Sequence, residues 1–220
     1  MRILITGGGC EEPIDSVRCI TNFATGQTSS VLADIFAANG AEVTALIGKK
    51  AVAPADPKVK IIRFGGFMEL SRLLQEELSQ NPFDCILHAA AVSDYGVESV
   101  LVNGKPLAGG PEGKLDSDSD ILISLKKHPK LIDVIKNWSI NPAVKVVGFK
   151  LTAGASLEER QTAVAKLFTR SRADWVVSND LSEIGGDFHN ARIYKNNQVI
   201  GEAENKQELA RFLWRIIKGD

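Results

Sequence analysis

Six short apolar runs punctuate the chain, and segments of helical periodicity fill most of the gaps between them. The runs are RILIT (2–6), EVTALIG (42–48), VKIIRF (59–64), DCILHAAA (84–91), VKVVGF (144–149) and DWVVSN (174–179). Each is too short for a stable helix and reads as a strand buried on both faces. The stretch TSSVLADIFAANG places Val31, Leu32, Ile35 and Phe36 on one helical face and stops at Gly40. MELSRLLQEEL (68–78), PKLIDVIKNW (129–138), SLEERQTAVAKLFTR (156–170) and KQELARFLWRII (206–217) carry the same period. ARIYKNNQVIGEA (191–203) reads as a hairpin turning on Asn196–Asn197. Such alternation demands an α/β chain with a Rossmann-like, doubly wound, mainly parallel sheet, whose ligands sit at the carboxyl ends of the strands. One domain over 1–220 accommodates all of it, with an excursion at about 93–120. That excursion is rich in Gly, Asp and Ser, lacks periodicity, and is expected to be part loop and part short strands.

Composition narrows the function. With 26 basic against 27 acidic residues the net charge is −1, which gives no nucleic-acid or membrane-surface character. No run approaches the roughly 20 apolar residues of a membrane span. MRILIT leads straight into glycines without a signal-peptide pattern, so a cytoplasmic location is expected. The three cysteines, Cys10, Cys19 and Cys85, match no zinc spacing and imply neither disulfide nor metal site.

Chemistry is sought at the strand ends. Gly7, Gly8 and Gly9 follow the first strand, but the third glycine of a dinucleotide fingerprint is absent, and the helix waits until about Gly26. Its first turn, GQTSS, offers backbone N–H groups and three hydroxyls, either as an anion cradle or simply as a cap from Thr28 or Ser29. After HAAAVS, Asp94 is placed to meet a ribose hydroxyl or a metal ion, or to cap the turn. His88 is expected to be buried and structural, and His128 stands alone with no acid–base role. Lys114, on a glycine-rich loop, is either a phosphate clamp or a surface charge. Lys126, Lys127 and Lys130 make a modest basic cluster, and Lys166 with Arg170 share a helix face. Together these describe a nucleotide polyphosphate site beside a second anion-binding loop.

These residues resemble those of the phosphopantothenoylcysteine synthetases, the phosphopantothenate–cysteine ligases. ITGGGCEEPIDSVRCITNFATG is similar to the family's opening: Gly-Gly-Thr, then Glu-x-Ile/Leu-Asp-x-Val-Arg, then Ile-x-Asn-x-Ser-Ser/Thr-Gly. AAAVSDY is similar to its Ala-Val-x-Asp-Tyr/Phe, and GKLDS stands at its Lys-Ile-Ser-Ser. HPKLIDVI, VGFK and SND follow in order. Three positions depart from the pattern: Cys10 replaces Thr, GQTS replaces a more usual Gly-Lys-Met-Gly or Gly-His-Leu-Gly so that Ser29 stands where glycine is common, and Asp116 interrupts Lys-Ile-Ser-Ser.

The resemblance implies a ligase of coenzyme A biosynthesis that joins 4′-phosphopantothenate to cysteine through an acyl-nucleotide. CTP is expected over ATP as co-substrate, with Mg²⁺. It is to the stand-alone bacterial form, so no flavin is implied. It makes Asn22 and Lys114 catalytic. Gly7, Gly8, Ala90, Asp94, Pro129, Lys130, Leu131, Ile132, Phe149, Lys166 and Arg170 fall at the nucleotide. Arg18, Asn22, Ala24, Thr25 and Gly26 fall at the acyl substrate, which accounts for so long a first loop. A homodimer is implied, with 93–120 as arm and flap. Two other readings share the fold. A short-chain NAD(P)-dependent oxidoreductase needs Tyr-x-x-x-Lys, and Tyr95 is followed four residues on by Ser99. A non-catalytic nucleotide-binding paralogue predicts binding without turnover.

Overall fold

A computed structural model of the chain describes residues 1–108, 112–116, 118–185 and 188–219. The first half runs β1 (Arg2–Gly7), β2 (Glu11–Pro13), β3 (Cys19–Thr21), α1 (Gln27–Ala38), β4 (Glu42–Gly48), β5 (Lys60–Phe64), α2 (Phe67–Gln80), β6 (Cys85–His88), β7 (Tyr95–Val102) and β8 (Lys105–Pro106). The second runs β9 (Ile121–Lys127), α3 (Ile135–Trp138), β10 (Lys145–Thr152), α4 (Leu157–Ser171), β11 (Trp175–Asp180), β12 (Ile184–Gly185), β13 (Phe188–His189), β14 (Ala191–Lys195), β15 (Gln198–Ala203) and α5 (Lys206–Lys218).

The central sheet has the order β15-β14-β11-β10-β6-β1-β4-β5. The strands from β5 to β11 are parallel, and β14 and β15 close one edge antiparallel. The chain winds outward from β1 through β4 to β5, then returns to β6 and winds the other way. The β1–β6 boundary is therefore the topological switch point, where a crevice opens at the carboxyl ends.

Alternation along the strands sorts the core into two layers. Ile3, Ile5, Val43, Ala45, Leu87, Val147 and Val177 pack against Leu32 and Phe36 of α1 and Leu209 and Leu213 of α5. Leu4, Leu46, Ile86, Val146 and Val176 face the other way, onto Leu70, Leu74 and Leu78 of α2, Ile135 of α3 and Leu167 of α4. The period of two on the sheet and of 3.6 on the helices thus meet on both faces. Phe36 and Trp214 lock α1 to α5 edge-to-face, with centroids 5.2 Å apart. α4 starts at a capping box in which Ser156 and Glu159 satisfy each other's backbone N–H. The hairpin turn falls at Asn196 and Asn197, both with positive φ, as a two-residue primed turn requires.

Two expectations are corrected. The excursion after Asp94 carries longer strands than expected: β7 and β9 pair antiparallel from Tyr95–Lys127 to Val102–Ile121, with β8 beside β7, as a separate three-stranded sheet. This arm runs past residue 120 and is bulged between Val97 and Ser99, which breaks the alternation that would have announced it. The helix expected over 129–138 is a 3₁₀ turn, Leu131–Asp133, followed by the four-residue α3. Ile132, Val134 and Ile135 are β-branched and stiff, which weakens the preference for a longer helix, and Leu131, Ile132 and Ile135 are drawn into the core. The first loop also contains structure of its own, the β2–β3 hairpin.

Candidate active site

The switch-point crevice is narrowed by backbone contacts beyond the strand ends. Ala89 N donates to Thr6 O at 3.2 Å, Ala91 N to Gly8 O at 2.9 Å and Cys10 N to Ala91 O at 3.2 Å. Ala90 N is held by Thr6 Oγ1 at 3.1 Å. The same hydroxyl meets His88 Nδ1 at 3.0 Å, and burial pushes that imidazole's pKa down to about 4, so His88 is a neutral structural group. Gly8 has φ +82°, and a Cβ there would lie 2.5 Å from Ala51 Cβ. A Cβ on Gly7 would overlap Ser29 Oγ, so Ser29 fills the space that the glycine leaves.

These contacts bring the N-terminus of α1 against the glycine turn. Its N-cap is Gly26, in the left-handed region, with no side-chain cap and no acidic residue in the first turn. Neither Thr28 nor Ser29 is the cap. Nor do three hydroxyls face a ligand: Ser29 Oγ donates to Gly26 O at 2.7 Å and Ser30 Oγ to Ala53 O at 2.9 Å. Thr25 O is taken by Val52 N at 2.9 Å, which ties Ala24–Gly26 to the loop after β4. Asn22 is exposed, its backbone carbonyl lies against Gly9, and its amide has no partner among the described residues.

The opening loop is also anchored to the segment carrying Lys114. The Asp15 carboxylate is wholly buried and accepts from Val17 N at 2.8 Å, Arg18 N at 2.6 Å and Leu115 N at 3.0 Å. Arg18 Nη1 binds the same carboxylate at 2.6 Å and Leu115 O at 3.3 Å. Ser16 N donates to Gly113 O at 2.9 Å. The Leu115 N–H above all holds the Asp15 carboxyl far below the usual carboxylate range. Leu115 is buried, and Lys114 and Asp116 on either side of it are exposed. The Arg18 guanidinium is thus engaged within the protein.

The remaining candidates form a second group. Asp94 and Lys130 are ion-paired. Leu131 and Ile132 are 2% and 9% exposed, so only their backbone can meet a ligand. Arg170 is paired with Asp133 at 2.9 Å, whereas Lys166 is exposed with no ion pair among the described residues; the two cations of α4 are not equivalent. Phe149 is half-buried against the α1–α5 layer.

Other side chains of this end were given no role by the sequence. Glu12 reaches from β2 to cap α2, accepting from Phe67 N at 2.8 Å. His128 stacks on Phe67 at 3.9 Å, with Nε2 3.5 Å from Glu12 Oε2. A cavity of about 560 Å³ opens beside them, lined by Ile14, Val97 and Leu107 among others. Asp180 is buried and accepts from Thr152 Oγ1 at 2.6 Å, Gly154 N at 2.9 Å and Ser182 Oγ at 2.6 Å, fixing the loop beyond β10. Only tertiary structure assembles these clusters, although Glu12 and Asp180 both lie in stretches that the sequence singled out.

Among the described residues no three ligand-type side chains converge on a metal position.

Known proteins share this sequence pattern and fold. Residues 1–219 match the model of the family described as DNA/pantothenate metabolism flavoprotein C-terminal domain. The chain is 32% identical over 219 residues to the coenzyme A biosynthesis bifunctional protein CoaBC of Thermococcus kodakarensis, covering 99% of this chain and 51% of that protein. It spans about half the length of the curated relatives it matches. The crystal structure of the DNA/pantothenate metabolism flavoprotein from Streptococcus pneumoniae superposes with a TM-score of 0.87 at 29% identity, covering 99% of this chain and 98% of that one. A Cab2 variant in complex with phosphopantothenate-cysteine shares the fold, with a TM-score of 0.79 at 17% identity over 99% of this chain and 86% of that one. No helix is long and apolar enough to cross a membrane among the described residues.

Proposed function

The chain belongs to the DNA/pantothenate metabolism flavoprotein C-terminal domain family, and on that premise we propose that it is a phosphopantothenate–cysteine ligase of the cytoplasm. The observation that carries the reading is the tie between Asp15 and Leu115, which fastens the Lys114 segment to the loop bearing Asn22. A carboxylate is a poor electrophile and must be activated before an amine can attack it. In the first step a carboxylate oxygen of 4′-phosphopantothenate attacks the α-phosphorus of CTP, and pyrophosphate leaves. Lys114 offsets the charge that builds on the phosphate as its segment closes. In the second step the cysteine amine attacks the acyl carbon and CMP leaves. The Asn22 amide, without a partner among the described residues, donates to the oxyanion.

Gly7, Gly8 and Ala90 let the nucleotide approach the crevice closely, with Asp94, Lys130, Lys166 and Arg170 around its polar end. Mg²⁺ bound to the triphosphate would reduce its charge. The molecule acts as a homodimer through the arm, whose Leu122 and Leu125 are 64% and 45% exposed on β9. The test is pyrophosphate release from CTP and from ATP, with and without phosphopantothenate and cysteine. Release that requires phosphopantothenate and prefers CTP supports the reading. Release that ignores the carboxylate, or none with either nucleotide, overturns it.

A further inference from the structure

Thr28, in the first turn of α1, and His189, at the end of β13, lie 161 residues apart in sequence, with His189 Nε2 3.3 Å from Thr28 Oγ1. His189 is 8% exposed. Burial, helped by the charge of Lys206, pushes its pKa down to about 4, so the ring is neutral near pH 7 and carries one N–H. Its Nδ1 is buried with no partner among the described residues. A proton on Nδ1 would leave a buried donor with no acceptor, which is rarer than an acceptor left idle. The hydrogen-bond network therefore assigns the proton to Nε2, which donates to Thr28 Oγ1. The threonine hydroxyl keeps its own proton for another acceptor.

That acceptor position is defined by the turn itself. Ser29 and Ser30 spend their hydroxyls on Gly26 O and Ala53 O. The first backbone bond of α1 runs from Ser30 N to Gly26 O at 3.0 Å, so the N–H groups of Thr28 and Ser29 precede the helical ladder and have no acceptor among the described residues. The turn abuts the switch point, since a Cβ on Gly26 would stand 3.5 Å from Gly8 N. We propose that Thr28 donates its hydroxyl to a phosphoryl oxygen bound at the N-terminus of α1, and that His189 is the positioning residue that fixes the direction of that donor. The inference rests on the ligase reading, in which two substrates bring phosphoryl groups, the nucleoside triphosphate and 4′-phosphopantothenate.

The experiment titrates CTP and 4′-phosphopantothenate separately, by calorimetry, into the parent, Thr28→Val, Thr28→Ser, His189→Ala and the Val/Ala double variant. Thermal unfolding of each is followed alongside. Thr28→Val is expected to weaken one of the two ligands about tenfold, as for one hydrogen bond to a charged group, and to spare the other. Which ligand weakens identifies the phosphoryl source. Thr28→Ser restores binding. His189→Ala weakens the same ligand in the parent but adds nothing in the Val background. The proposal is overturned if Thr28→Val binds both as the parent does, or weakens both alike. It is also overturned if serine fails to restore binding, or if His189→Ala costs as much in either background. A parent that binds neither compound overturns the ligase reading together with this one. A parent that turns over CTP while Thr28→Val binds normally overturns this one alone.

Discussion

The buried carboxylate of Asp15 accepts the backbone N–H of Leu115 at 3.0 Å, across 100 residues of sequence. It makes the opening loop and the Lys114 segment one mechanical unit. The carboxyl is held far below its ordinary range, chiefly by that N–H and then by those of Val17 and Arg18. The sign follows directly. A depressed folded-state pKa adds stability above the unfolded value, about 4, and that stability is lost as pH falls toward the folded value. The Lys114 segment is therefore expected to loosen in acid, below about pH 4. Asp15→Asn loosens it at neutral pH and removes the acid dependence. Limited proteolysis between residues 105 and 120 across pH reads both effects. A variant as resistant as the parent at every pH would disconnect Asp15 from the segment.

Lys114 has an exposed side chain with no ion pair among the described residues, so Lys114→Ala should leave the unfolding midpoint unchanged. Its effect belongs to the first half-reaction. Removing one contact to developing charge costs about 10²–10³ in rate. Pyrophosphate release in single turnover, without cysteine, isolates that step. If the variant releases pyrophosphate at the parental rate, Lys114 is a surface charge.

The arm presents Leu122 at 64% and Leu125 at 45% exposure, one on each face of β9. Burial of the arm in a second copy is the expectation, and Leu122→Glu with Leu125→Glu should convert a dimer to a monomer. Light scattering decides it. A parent of monomer mass at micromolar concentration would exclude the dimer, and a double variant of dimer mass would move the interface elsewhere.

The main sheet was legible because Leu32 and Phe36, or Leu70 and Leu74, repeat at helical spacing between buried runs such as Ile3–Ile5. The arm was not, because β7 and β9 pair mainly with each other and the bulge at Val97–Ser99 shifts the face in mid-strand. In the site, the order of motifs pointed to the switch point, and Gly7, Gly8, Ala90 and Gly26 gather there. What the sequence left hidden was the internal use of the polar groups. Arg18 falls at the acyl substrate by resemblance, and the sequence does not show that its Nη1 is held by Asp15 and Leu115. The hydroxyls of Ser29 and Ser30 are a plausible cradle until their carbonyl acceptors are known. His128 is a lone histidine until Phe67 and Glu12 fold around it.

Asn22 separates the two halves of the reaction. It follows β3, is exposed, and its amide is unspent among the described residues, whereas the neighbouring Thr21 hydroxyl is committed to Cys10 O at 2.7 Å. A side-chain amide can donate to a carbonyl oxygen as negative charge develops there; a carboxylate of the same size cannot, and would oppose that charge. Activation of the substrate carboxylate needs no such donor, because its charge passes to the phosphates. Asn22→Asp is accordingly expected to form the acyl-nucleotide from CTP and phosphopantothenate and to consume it about 10²–10³ more slowly once cysteine is added. Quenching a reaction with labelled CTP, and resolving acyl-nucleotide from CMP, gives the ratio directly. Intermediate that accumulates in the variant but not in the parent supports the role. Loss of both steps would make Asn22 a binding or folding residue instead, and full activity would remove it from the site.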